Sequence, residues 1–398
     1  MKPCSTWWLA LGGFAALLAH EVAPAQQRGP LNHYILECAD GCPQKALEAP
    51  IGVPTGVATD GDGNVYFTSQ HLVFKLLRDG TLVRFAGTGV AGFSGDGGSA
   101  LGARLNLPLA YAEMDRDPID FYPFASGIAV DAIGNVYIAD TYNGQIRRVD
   151  VNGTIDSVRD DAGNAFGRGW PQGIAVDAAG RLYMSEQYGA ISRRDPDGRV
   201  VVLVSWNCGP GYLGDGACVP EQIAVDGAGA VYFGDTYCRV RKWVAGVGTT
   251  TVAGYGDRRL DRDAMSYCGN SGDGGPATLA ELSLLPYAVA FDADDRLYIA
   301  DTYNHCVRRV DRAGTIVPIA GVCSPYHFGA LLGDEAAATQ ARLREPLGIA
   351  VDREGNLYIA DSQHLRIRKV TPGGIITTVA GNGEPLPAMQ VDSAVKAP

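Results

Sequence analysis

GIAVDAIGNVYIADTYNGQIRRVD, residues 127–150, decides the fold because the chain writes it six times with variations. Gly127-Ile-Ala-Val-Asp131 and Val136-Tyr-Ile-Ala-Asp140 are short runs rich in β-branched and aromatic residues, joined by Ala132-Ile-Gly-Asn135. A short glycine-containing turn between two such runs is the mark of a β-hairpin. Gln145-Ile-Arg-Arg-Val149 supplies a third run, and the stretch around Thr154-Ile-Asp-Ser-Val158 a fourth. The unit recurs from Gly56, Gly173, Gln222, Ala288 and Gly348. Repetition of this size with four strands per repeat selects a radial arrangement over a helical solenoid. The expected class is all-β: a six-bladed β-propeller of four-stranded antiparallel blades.

Comparing the repeats separates core from variation. Ala58, Ala129, Ala175, Ala224, Ala290 and Ala350 share one first-strand position, expected where neighbouring blades crowd near the axis. Tyr66, Tyr137, Tyr183, Tyr232, Tyr298 and Tyr358 share a second-strand position, expected to pack between blades. Asp140, Asp235, Asp301 and Asp361 end the second strand in four repeats, and those same repeats carry Arg147, Arg241, Arg308 and Arg368 in the third. Where the acid is replaced by Ser69 or Glu186, the arginine position holds Phe74 or Ser192. That covariation reads as a structural ion pair with hydrogen bonds to turn amides; a ring of acids holding a metal is the alternative.

The motifs P-x-G-I-A-V-D, N-V-Y-I-A-D-T-Y-N and I-R-R-V, with the link GFSGDGGSA at 92–100 echoed by NSGDGGPAT at 270–278, resemble the NHL repeat. The resemblance covers about 53–381 and implies a propeller. It implies little about chemistry, because such propellers serve as protein-binding and RNA-binding modules, extracellular domains and a few lyases.

Composition fits one large globular domain: 46% of residues are hydrophobic and 52 are glycine. Lys2, the apolar run 7–19 and the small-x-small pattern Ala23-Pro-Ala25 read as a signal peptide removed after Ala25. That run is too short to span a bilayer. The expected organisation is a signal peptide at 1–25, an N-terminal segment with a possible closing strand around 34–37 at 26–52, the propeller at 53–384 and a tail at 385–398. The mature protein is expected to be monomeric and exported, periplasmic or extracellular.

Eight cysteines remain after cleavage: Cys38, Cys42, Cys208, Cys218, Cys238, Cys268, Cys306 and Cys323. In a four-stranded blade the turn between strands two and three and the link to the next blade lie on one face of the disc, so all eight are expected there. The expected pairs are Cys38 with Cys42, Cys208 with Cys218, Cys238 with Cys268 and Cys306 with Cys323; Cys268 with Cys306 competes. Zinc is the alternative, without a C-x-x-C spacing to support it.

First-strand alanines are 71, 46, 49, 66 and 60 residues apart, so the long links follow blades one, four and five on that same face. Long loops on a rigid scaffold are where binding concentrates. Residues 109–123, LAYAEMDRDPIDFYP, have no counterpart elsewhere; Tyr111, Asp115, Asp117, Phe121 and Tyr122, with Glu113 and Asp120, form a candidate surface for a basic or sugar-like partner, or a flap packed on the disc.

Other motifs read as structure. Thr59-Asp-Gly-Asp-Gly-Asn64 resembles the opening of a calcium loop but lacks the later bidentate acid, so a hairpin turn is expected. Ser94-Gly-Asp-Gly-Gly98 is not followed by a phosphate-loop lysine. Residues 278–284 are expected to form a short helix, with Asp273 tying its turn.

His71, His305 and His364 fall in second-to-third-strand turns of adjacent repeats. Converging histidines can hold a zinc or other metal that polarises a substrate. The segment Gln70-His-Leu-Val-Phe-Lys75 resembles one in the amidating lyases of the NHL group, so a metal-dependent lyase or lactone hydrolase at the channel mouth is the alternative function. Nucleic acid is disfavoured: net charge is −11, and the basic position shared by all repeats (Lys75, Arg148, Arg193, Lys242, Arg309, Lys369) is too regular to be a one-sided patch. The expected function is non-catalytic binding of a protein or saccharide, without a cofactor.

Overall fold

The structure, a computed structural model, describes residues 43–108, 126–167, 169–187, 189–205, 220–255, 268–283, 287–326 and 333–386. The signal segment, the expected strand at 34–37 and the stretch 109–123 lie outside the described residues. Within them the chain is an all-β six-bladed propeller of six antiparallel sheets.

Blade I is Pro54–Thr59, Val65–Ser69, Leu72–Leu76 and Thr81–Ala86. Blade II is Ile128–Val130, Val136–Asp140, Gln145–Val149 and Thr154–Ser157. Blade III is Pro171–Val176, Leu182–Glu186, Ala190–Arg194 and Val200–Ser205, and blade IV is Ile223–Val225, Val231–Asp235, Arg239–Val244 and Gly248–Ala253. Blade V is Val289–Phe291, Leu297–Asp301, Cys306–Val310 and Ile316–Ala320, and blade VI is Pro346–Val351, Leu357–Asp361, Arg366–Val370 and Ile375–Ala380. The first strands touch one another in a closed ring about the axis. Apolar clusters fill the wedges between successive blades.

Three blades gain a short fifth strand from the preceding segment: Gln44–Lys45 pairs with blade I, Gly98–Ser99 with blade II and Ala336–Ala337 with blade VI. Pro276 bridges Thr315 in the equivalent place on blade V. Among the described residues no strand is exchanged between the first and last blades. At the seam, the Ser362 hydroxyl donates to Pro54 O at 2.7 Å, and the Gly381 and Asn382 amides donate to Ala46 O and Ala49 O. Thr141 to Pro171 O and Thr302 to Pro346 O repeat the seam bond elsewhere, which explains why D-T or D-S and the following P-x-G are written together.

Two expectations need correction. In four of the six blades the tightest axial crowding falls on a glycine two residues before the alanine. A Cβ on Gly56, Gly127, Gly173 or Gly348 would lie 2.1–2.4 Å from a backbone oxygen of the next blade, closer than any side chain tolerates. The second is the helix at 278–284: the described part is one 3-10 turn, Ala277–Leu279, because Ala280 and Leu282 leave it extended to reach the wedge between blades IV and V.

The first-to-second-strand turn is a hairpin in every blade. Asp60 Oδ1 accepts from the amides of Asp62 and Asn64, and its Oδ2 from Asn64 and the Tyr66 hydroxyl. Asp131, Asp177, Asp226 and Asp292 accept the same tyrosine bond. The tyrosine position is thus a hydrogen-bonding position as well as a packing one. Lys75, Lys242 and Lys369 stack over Tyr66, Tyr232 and Tyr358 at 4.9–5.7 Å, which accounts for the regular basic position.

Candidate functional site

The expected acid–arginine pairs are all formed: Arg147 with Asp140, Arg241 with Asp235, Arg308 with Asp301 and Arg368 with Asp361, at 3.2–3.4 Å. Each acid also accepts backbone amides; Asp301 takes Ser283 N–H at 2.6 Å and Asp361 takes Arg344 N–H at 2.7 Å. Three of the arginines reach a second acid in the link, Asp96, Asp273 or Asp334, at 2.6–2.8 Å. Asp273 therefore serves Arg308 across the blade. In blade I, Phe74 stacks on Phe67 where the pair is absent.

The same face carries both described disulfides. Cys238–Cys268 and Cys306–Cys323 join the second-to-third-strand side of blades IV and V to the links that follow, with Cα–Cα distances of 6.2 and 5.1 Å. Cys306 is thus paired locally and not with Cys268. Cys38, Cys42, Cys208 and Cys218 lie outside the described residues, as do Tyr111, Asp115, Asp117, Phe121 and Tyr122. Converting Cys306 and Cys323 to serine is expected to cost about 3 kcal/mol by releasing a short closed loop in the unfolded chain. Denaturant unfolding of the double variant, with no change in midpoint, would contradict this.

Each candidate metal histidine has a hydrogen-bonding task at this face. His71 Nδ1 accepts the Leu107 amide at 3.2 Å, and His305 Nδ1 accepts the Glu345 amide at 3.1 Å. His364 takes the place of Asn143 and Asn304, with Nδ1 3.0 Å from Asp361 Oδ2. Burial lowers the His71 imidazole; burial, with Arg344, holds His305 down at about 4. His364 sits close enough to His305 to contribute to that depression, while His71 bonds the link on the far side of blade I. Among the described residues no group of three or more His, Cys, Asp or Glu is arranged to hold a metal ion.

One feature was not anticipated. Gln172 and Glu221, at the mouth of the axis on neighbouring blades III and IV, are each 1% exposed. Among the described residues, neither amide atom of Gln172 nor either carboxyl oxygen of Glu221 has a hydrogen-bond partner. Burial pushes the Glu221 carboxyl up to about 8. The folded protein therefore holds a proton there that the unfolded chain releases above the ordinary glutamate range. That contribution to stability is complete below about pH 4.5 and disappears as pH rises to about 8. Glu221→Gln is expected to keep, at pH 8, roughly 3 kcal/mol that the parent protein loses between pH 5 and 8. Urea unfolding at both pH values measures it; parallel losses in the two proteins would refute it.

Geometry and sequence agree on class. A profile described as NHL repeat matches residues 285–310, and one described as Teneurin NHL domain matches 317–391. The protein is a six-bladed β-propeller that carries sequence matching NHL-repeat models over these residues. Among curated proteins, human Teneurin-1 is 32% identical over 123 residues, covering 27% of this chain and 4% of that protein. Protein SUPPRESSOR OF QUENCHING 1, chloroplastic, of Arabidopsis thaliana is 28% identical over 125 residues, covering 31% of this chain and 11% of that one. The chain thus spans a small fraction of these relatives' length. Among solved structures, an auxiliary nutrient binding protein from Bacteroides thetaiotaomicron superposes with a TM-score of 0.54 at 16% identity, covering 83% of this chain and 70% of that one, a likeness of fold.

Proposed function

We propose that the protein is an exported, monomeric binding module that holds a protein or saccharide ligand on its loop-rich face, without catalysis. The observation that carries this reading is the fastening of that face: both described disulfides tie its turns to its links. The acid–arginine pairs lock the same links to the blades from beneath. Rigid support under long loops preorganises a surface, and preorganisation lowers the entropic cost of binding. Disulfides accord with an oxidising compartment and with removal of residues 1–25 on export. A propeller bounded near 53–384 leaves 26–52 and 385–398 as flanking segments.

The test uses mature protein and a variant with residues 109–123 replaced by a short Gly/Ser linker, on glycan arrays and in pulldowns from extracellular and periplasmic fractions. Saturable binding that is lost in the variant, at unchanged melting temperature, is the expected result. Binding that survives the replacement would remove Tyr111, Asp115, Asp117, Phe121 and Tyr122 from the ligand surface.

A further inference from the structure

Thr55, Ser126, Gln172, Glu221, Tyr287 and Leu347 occupy equivalent positions at the start of the six inner strands, and all are buried. The backbone oxygens of Thr55, Ser126, Gln172 and Glu221 abut the glycine of the adjoining blade, which places these residues in one layer around the axis. Two of the ring's polar groups are tied back into the protein. The Thr55 hydroxyl lies 2.9 Å from that of Thr68, and the Ser126 hydroxyl donates to Ala139 O at 2.9 Å. Gln172 and Glu221 are not: four buried polar atoms on adjacent blades stand without hydrogen bonds among the described residues. Leaving such atoms unpaired costs free energy, and native proteins rarely do so.

The unmet bonds specify a complement. Glu221 offers two acceptor oxygens and Gln172 one, against the single NH2 of Gln172. A ligand that satisfies the layer must bring several N–H donors, and one that lets a buried carboxyl ionise must bring positive charge. On the other side of Glu221, the Gln222 amide donates to Tyr287 O at 3.1 Å, so a tyrosine holds the next position in the layer.

We propose that this half of the axial ring is a binding site for a compact organic cation, a primary ammonium or guanidinium group, with Glu221 as counter-ion and the Gln172 amide oxygen as second acceptor. The site uses residues at the entry to the inner strands and does not rest on the loop-face reading. Burial alone raises Glu221, with no charged side chain contributing, and the titratable neighbour in the layer is Tyr287. Cation binding therefore expels the carboxyl proton to solvent.

The experiment is calorimetric titration of the mature protein with propylammonium and guanidinium, with propanol as neutral control and Ca2+ and Zn2+ as inorganic controls. It is run at pH 6.5 and 8.5 in buffers of different ionisation enthalpy. Saturable binding of an organic cation is expected, tighter at pH 8.5 by about tenfold or more, with release of close to one proton at pH 6.5. Glu221→Gln should lose at least tenfold in affinity at pH 8.5 and lose the pH dependence, while remaining folded by circular dichroism. Gln172→Leu should weaken binding less and keep the pH dependence. Absence of cation binding, equal binding of propanol, binding indifferent to Glu221→Gln, or tighter binding of Ca2+ or Zn2+ at the same residues overturns the proposal.

Discussion

Replacing Arg308 with methionine lowers the free energy of unfolding by about 3–5 kcal/mol. The guanidinium is fully buried between Asp301 at 3.3 Å and Asp273 at 2.6 Å, and it also donates to Glu281 O and Ser271 O. Methionine fills much of the volume but leaves Asp301, itself buried, facing no cation. An uncompensated buried carboxylate costs more than the ion pair is worth, because the attraction mostly offsets the price of desolvation. Asp301→Asn combined with Arg308→Met should therefore recover a large part of the loss. Asp273→Ala, at the half-exposed end of the pair, should cost about 1 kcal/mol or less. Equal losses in all three, measured by guanidinium unfolding, would contradict the assignment of Asp301 as the buried partner.

The second large effect is steric. Gly173→Val is expected to cost about 3 kcal/mol, because a Cβ there lies 2.4 Å from Glu221 O and 2.8 Å from Gln222 Cα and Ile223 N. Backbone atoms of the next blade cannot step aside without opening the ring. Gly102→Ala is the control: nothing lies within 4 Å of its Cβ, so the change should stay within about 0.5 kcal/mol. Differential scanning fluorimetry of the pair reads the difference, and a near-neutral Gly173→Val would show that the blades are not in contact at that point.

The repeat made most of the scaffold readable. Six copies exposed Ala58 and Tyr66 as periodic, and comparison of copies paired Asp301 with Arg308 before any coordinates. What periodicity could not give was direction. Glycine and alanine stand together in P-x-G-I-A, and only the closed ring shows that Gly173 meets its neighbour's backbone while Ala175, half-buried, packs against the wedge between blades III and IV. Asp96, Asp273 and Asp334 each follow a glycine in a link, but the arginine each one meets is 34–51 residues away, so spacing alone does not connect them.

The histidines show the same limit from the other side. Position in the turn places His71, His305 and His364 on one face, yet the amides bonded by His71 and His305 come from links whose path the sequence does not define. Gln172 and Glu221 were legible only as departures: Thr55 and Ser126 hold small hydroxyls at that position, whereas blades III and IV hold longer polar chains. A departure from a repeat is where a site can be sought.

The central claim, a binding propeller in which those histidines serve the scaffold, is tested most directly by elemental analysis of the mature protein beside His71→Ala and His364→Ala. The account predicts substoichiometric zinc, calcium and other metals in all three proteins. One metal ion per chain in the parent protein, lost in both variants, would contradict it and turn attention to lyase and lactonase substrates.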